Sequence, residues 1–179
     1  MSRALRICIL LAIGTLRTLL WPVDALAGQE NEQGEVATTE EPNFVLEIAP
    51  AAEWSLHEER SNYGGTVALE KEVIENWLEL EAGLTGLGTS GRGELSGDLL
   101  FKKRFRLSPE LEFFVGVGPE VAHTFNGSGR GTLAHIEQVT ELMFLPRTGV
   151  GWYLEPTFSV APATGEKSFG LSAGVAIRF

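Results

Sequence analysis

The chain has 179 residues, 44% apolar and 21% charged, with 14 basic and 24 acidic side chains and a formal charge of −10. That length holds one domain with room for a tail. The acidic balance argues against a general nucleic-acid binder, which needs cations to neutralise phosphates. With 21 glycines and 8 prolines, the chain is neither collagenous nor of low complexity. A mean hydropathy of +0.05 at a pI near 4.8 means that apolar residues and acids are both abundant, so they must be segregated.

The first 27 residues carry an export pattern. Arg3 and Arg6 precede an uncharged run from Ile7 to Leu16, and Ala25-Leu26-Ala27 supplies a small-x-small site with cleavage expected before Gly28. Arg17 and Pro22 break the run short of the roughly 20 apolar residues a transmembrane helix needs. Residues 1–27 are therefore expected to be a cleaved signal peptide. Its removal would leave 11 bases and 23 acids, a charge of −12, and would take away Cys8, the only cysteine. A disulfide framework is then excluded. Residues 28–43 hold five glutamates and no strong apolar run; they are expected to form a disordered acidic leader in the periplasm.

From Phe44 onward the hydrophobic period is two, the signature of strands. The first segment sets Phe44, Leu46, Ile48, Pro50, Ala52 and Trp54 against Val45, Glu47, Ala49, Ala51, Glu53 and Ser55. A weaker second segment spans 65–72. The third, near 78–85, opposes Leu78, Leu80, Ala82 and Leu84 to Glu79, Glu81, Gly83 and Thr85. The fourth (93–105) alternates Leu95, Leu99 and Phe101 with Glu94, Asp98 and Lys102. The fifth (111–122) carries Leu111, Phe113, Val115, Val117 and Val121 on one face, with Glu112 and Glu120 on the other. The sixth (133–144) and seventh (150–160) repeat the pattern. The eighth runs to Phe179, with Phe169, Leu171, Ala173, Val175 and Ile177 opposite small residues and Arg178. Turn-rich stretches at Ser61–Gly65, Thr89–Gly93, Asn126–Gly129 and Thr164–Lys167 separate alternate segments. Tight connections at Val73–Asn76, Leu107–Glu110 and Leu145–Thr148 separate the rest. Eight is an even count, as a closed bacterial barrel requires.

Two features place the apolar face outward. The only bases in the apolar register are Lys71 and Lys103, both near strand ends, and the opposite register mixes small residues with glutamate, which suits a narrow polar lumen. Aromatic residues also gather at segment ends: Phe44, Trp77, Phe105, Phe113, Phe144, Trp152 and Phe179 at one, Trp54, Tyr63, Phe125, Phe158 and Phe169 at the other. Two girdles bracketing an apolar band fit two membrane–water interfaces. The expected fold is an all-β, eight-stranded antiparallel up-and-down transmembrane barrel over 44–179. A soluble exported barrel holding a small apolar ligand, as lipocalins do, is the alternative.

The signal segment, the eight alternating segments and the last strand, Phe169 to Phe179, together resemble the small outer-membrane β-barrel proteins of Gram-negative bacteria. The resemblance implies an outer-membrane location, with membrane lipids and lipopolysaccharide as surroundings. It also implies recognition by the barrel-assembly machinery through the strand ending at Phe179. No zinc spacing or phosphate loop is present, so no metal and no cofactor are expected, and the acidic balance leaves no nucleic-acid partner.

Chemistry-bearing motifs are sparse. Gly116-Val-Gly118 and Gly127-Ser-Gly129 precede no helix, so they are not nucleotide loops. A lipid A deacylase of barrel type resembles this chain in size, and would use His123 as base and Glu137 as acid. Position 125, where that family carries its nucleophile, is Phe here, and Ser128 lies in a turn. A non-enzymatic structural or permeability-related role is the expectation. The lumen register holds thirteen acids: Glu47, Glu53, Glu70, Glu72, Glu79, Glu81, Glu94, Asp98, Glu112, Glu120, Glu137, Glu141 and Glu155. Against them stand Lys102, Arg104 and Arg178, with His57 and His135. So few bases cannot pair so many carboxylates. The remaining acids must lie at hydrated rims, attract cations or hold protons.

Overall fold

A computed structural model describes residues 44–57, 60–126 and 129–179. The expected signal peptide, the leader and Ser128 lie outside the described residues. Eight strands follow one another: β1 (Phe44–Ser55), β2 (Ser61–Ile74), β3 (Leu78–Thr89), β4 (Arg92–Arg106), β5 (Leu111–Asn126), β6 (Gly129–Phe144), β7 (Val150–Val160) and β8 (Lys167–Arg178). Each pairs antiparallel with the next, and β8 pairs with β1 from Ser55↔Ser168 to Val45↔Arg178. The sheet is therefore a closed up-and-down barrel, with every strand edge satisfied.

Several strands extend past the sequence expectation: β2 at both ends, β3 to Thr89, β5 to Asn126 and β6 from Gly129. Ser61–Gly65 belongs to β2, where Asn62 and Tyr63 continue the in–out alternation opposite Glu53 and Ala52. Gly64 marks a close approach between strands: a Cβ there would lie 1.8 Å from the Gly86 carbonyl oxygen. The β3–β4 connection shrinks to Ser90-Gly91, with Gly91 at φ +80°, a conformation that favours glycine. All connections are short, so neither end of the barrel carries an extended loop.

Three prolines sit within strands. Pro50, Pro119 and Pro156 each coincide with a break in one ladder: β1–β8 between Ile48 and Ala51, β4–β5 between Asp98 and Phe101, and β6–β7 between Val139 and Leu142. Proline has no N–H to donate, and each of these faces outward with its neighbours' pairing interrupted on one side only.

The polarity of a water-soluble barrel is reversed. Buried inside are Glu47, Glu70, Glu79, Glu81, Lys102, Glu112, Glu120, Glu137, Glu141 and Glu155. Ile48, Leu84, Val117, Val121, Ile136, Leu154 and Val175 are exposed on the outer surface. This is far more contiguous apolar surface than a monomeric soluble protein tolerates. The end bearing Phe44, Trp77, Phe105, Phe113, Phe144, Trp152 and Phe179 is called proximal here, and the opposite end distal. Proximal ring pairs are Phe44–Phe179, Phe105–Phe113 and Phe144–Trp152, with centroids 6.0–6.2 Å apart. Distally, Trp54 stacks on Phe169 at 5.9 Å, and Phe158 pairs with Phe169 across β7–β8. Lys71 and Lys103, bases on the outer face near the proximal end, lie over proximal rings: Lys71 over Phe44, and Lys103 over Trp77 and Phe105. Their charge therefore sits at the rim, where a long side chain reaches water.

Candidate functional site in the lumen

The lumen divides into two regions along the barrel axis. Lys102 dominates the proximal one. It is 0% exposed, and its Nζ lies 2.6 Å from Glu141, 3.1 Å from Glu155, 3.7 Å from Glu70 and in contact with Glu81. Its stem has room because β5 presents Gly116 directly opposite; a Cβ there would come within 2.8 Å of the lysine's Cγ and 2.7 Å of Val139. Arg104, one inward position further on, contacts Glu79 and lies 3.3 Å from Glu72 and 3.9 Å from Glu112. At the mouth, Arg106 continues the network to Glu112 at 3.6 Å and to the Asn76 side chain at 3.0 Å.

These bases resolve a conflict built into the strand register. Glu70 stands directly opposite Glu81, and Glu72 opposite Glu79, an arrangement of like charges that opposes pairing. Lys102 is shared by the first couple and Arg104 by the second. On the other side of the lumen, Val45, Ala49, Phe114, Met143, Leu145, Tyr153 and Ala176 form an apolar wedge. Phe114 faces the Lys102 ammonium at 5.9 Å from its ring centroid, a cation–π contact. Wedge and ion pairs together fill the proximal lumen with side chains, as expected of a barrel this narrow.

The distal region is different. Glu53, Asp98, Glu120 and Glu137 line a cavity of about 60 Å³ whose floor includes Glu81 and Glu155. Above it lies a mouth of about 80 Å³, bordered by Glu53, Arg60, Arg92, Glu94, His135 and Lys167. Each volume has room for several waters, at about 10–15 Å³ apiece. Asp98 and Glu120 are direct cross-strand partners, and no lysine or arginine forms an ion pair with either among the described residues. Their contacts are neutral or titratable: Ser159 donates to Glu120 at 3.2 Å, and His135 lies 3.4 Å from the same carboxylate. Nearer the mouth, Thr124 donates to Glu94 at 3.3 Å, and Asn62 reaches Glu53 at 3.5 Å. Gly83 leaves the space that Asp98 occupies; a Cβ there would sit 2.5 Å from its Oδ1.

The residues singled out in the sequence thus fall in three places. Glu47, Glu70, Glu79, Glu81, Glu141, Glu155, Lys102 and Arg104 face the proximal lumen. Glu53, Asp98, Glu120 and Glu137 face the distal cavity. Arg178, expected as a lumen base, is exposed at the proximal mouth, because the inward register reaches the barrel's edge there. The apolar wedge escapes a reading of the inward register by its acids alone, although Leu100, Phe114, Val139 and Met143 stand in phase with those acids. The outward register in turn includes polar Gln138 and Thr140 on β6.

The expected enzymatic pair does not assemble. His123 lies on the outer face at the distal rim, where its Nδ1 is 2.7 Å from the Thr132 hydroxyl and its ring packs edge-on against Phe125 at 4.6 Å. Glu137 points into the lumen, on the opposite face of the sheet. A hydroxyl needs both a base and a group that orients the base. No carboxylate supplies that second contact to His123 among the described residues.

No protein-family model and no curated protein matches the sequence. Solved structures do match. Neisserial surface protein A superposes with a TM-score of 0.63 at 14% identity, covering 76% of this chain and 96% of that one. The N-terminal β-barrel domain of Pseudomonas aeruginosa OprF gives 0.57 at 16% identity, covering 78% and 100%. Ail, the attachment invasion locus protein of Yersinia pestis, gives 0.55 at 12% identity, covering 78% and 99%. This chain has the fold of the small eight-stranded outer-membrane β-barrels.

Proposed function

We propose that the protein is a non-enzymatic outer-membrane barrel. Its proximal end faces the periplasm, and its lumen is a blind, acid-lined vestibule that attracts cations from the distal side. The observation that carries this reading is the reversed polarity: acids and Lys102 enclosed within, and an apolar band between two aromatic girdles outside. In water that exterior would drive aggregation, whereas in lipid it is the matched surface. Among the described residues the short connections leave no projecting surface for a large partner, which favours a structural or permeability-related role.

The vestibule ends where Lys102, Leu100, Phe114, Met143 and Tyr153 close the bore, each no more than 2% exposed. The acids above that closure carry an excess of negative charge with low-dielectric walls around it, an arrangement that concentrates counter-ions. Planar-bilayer recording tests the reading. Negligible steady conductance is expected, and any rare openings should prefer cations. A constant anion-preferring current would refute it.

A further inference from the structure

We propose that the lumen holds one calcium-sized divalent cation on the carboxylates of Glu47, Glu81, Glu141 and Glu155. This names the ion for the cation-attracting vestibule, and so rests on that reading. One oxygen from each of the four carboxylates lies within 4.8 Å of the others. They arrive from β1, β3, β6 and β7 and converge across the bore, so the cluster is not the solvated face of one strand.

Glu47 supplies an independent sign of a missing ligand. It is 1% exposed, its Oε1 is sealed from solvent, and it makes no ion pair or hydrogen bond among the described residues. A buried carboxylate without a partner is costly. Lys102 is engaged with Glu70, Glu81, Glu141 and Glu155, so a single ammonium cannot also satisfy Glu47. There is also a route to the cluster, because Glu81 and Glu155 form part of the floor of the distal cavity. An ion drawn in past Glu53 and Asp98 reaches two of the four ligands through water.

The donor set selects the ion. Carboxylate oxygens are hard ligands, suited to magnesium and calcium. Oxygens on opposite sides of magnesium lie about 4.0–4.2 Å apart, and on calcium about 4.6–5.2 Å, given metal–oxygen distances of about 2.0–2.1 and 2.3–2.6 Å. All four oxygens lie within 4.8 Å of one another, which admits either ion; a cage made entirely of protein carboxylates favours calcium, because magnesium sheds its water reluctantly and usually keeps several waters. Lys102 Nζ, 2.6 Å from Glu141 and 3.1 Å from Glu155, competes for the same oxygens. Glu70, 3.7 Å away with neither oxygen hydrogen-bonded, can receive the ammonium when the ion binds.

Titration of the detergent-folded protein with CaCl2 and MgCl2 by isothermal calorimetry tests the site, with a heat-modifiable gel shift verifying the fold of each variant. The expected result is one saturable calcium site per chain, with magnesium at least tenfold weaker. Glu141→Gln should weaken calcium at least tenfold, and Lys102→Met, which removes the competitor, should strengthen it at least tenfold. If Glu141→Gln does not fold, Glu47→Gln takes its place, since it breaks no ion pair. No saturable calcium binding in either wild type or Lys102→Met would overturn the site. So would binding unchanged in Glu47→Gln, which would locate the ion on exposed carboxylates or detergent. A barrel that inserts into membranes but fails this titration refutes the site alone; failure to insert refutes the reading beneath it.

Discussion

The proximal and distal halves of the lumen handle the same difficulty in opposite ways. Both contain acids placed directly across from acids: Glu70 opposite Glu81 proximally, and Asp98 opposite Glu120 distally. In the proximal half a buried base stands within reach of each couple, and an apolar wedge excludes water. In the distal half no lysine or arginine among the described residues pairs with the couple, and a cavity, hydroxyls and His135 surround it. A narrow barrel can therefore host like-charged register partners either by neutralising them or by hydrating them. Ions enter from the hydrated half, whose floor includes Glu81 and Glu155.

Substitutions can break this contrast, beginning with the largest expected effect. Lys102→Met in calcium-free buffer leaves Glu81, Glu141 and Glu155 without their ammonium. Removing one partner of a buried ion pair typically costs about 3–5 kcal/mol, and urea unfolding in lipid vesicles should show a loss of that size. Val117→Arg asks whether lipid is the outer solvent on which the contrast depends. Val117 is 47% exposed near the middle of β5. Arginine there should cost about 2–4 kcal/mol in a bilayer, against about 0.5 kcal/mol or less for an exposed site in water. Gly116→Val drives side-chain atoms into Lys102 and Val139, an overpacking worth about 1–3 kcal/mol by the same measurement. Asp98→Asn should do the reverse, because it removes a like charge facing Glu120. A gain of about 0.2–1 kcal/mol is expected, and a large loss would mean that the distal acids are as tightly paired as the proximal ones. The smallest effect expected is from His123→Ala, which should leave the acyl pattern of lipid A unchanged by mass spectrometry.

The fold was legible because alternation is a direct consequence of strand geometry. Glu47, Glu79, Glu112 and Glu155 sit in phase with small residues, and Leu46, Leu78, Phe113 and Leu154 in phase with apolar ones, so the inside and the outside separate on paper. The rim aromatics followed from the same register. Strand ends were less legible. At Ser61–Gly65 the glycines read as turn formers, whereas Gly64 is needed for close approach to the Gly86 backbone. Turn chemistry and close packing select the same residue, and only a partner strand distinguishes them. The division of the lumen was not legible at all. Whether Lys102 or Arg104 meets a given glutamate depends on the stagger between strands, which sets Glu79 beside Lys102 and Gly116 across from it. The mismatch of His123 and Glu137, by contrast, follows from alternation, since His123 is in phase with the outward Val117 and Val121 and Glu137 belongs to the inward register. They lie on neighbouring strands, but their registers place them on opposite faces of the sheet.

The most direct test of the central claim, that lipid and not water covers the apolar band, is extraction of the protein from isolated membranes. The protein should stay with the outer-membrane fraction after washing in urea. It should also migrate faster on a denaturing gel when unheated than when boiled. Release into the supernatant by urea alone, with one mobility regardless of heating, would contradict the claim.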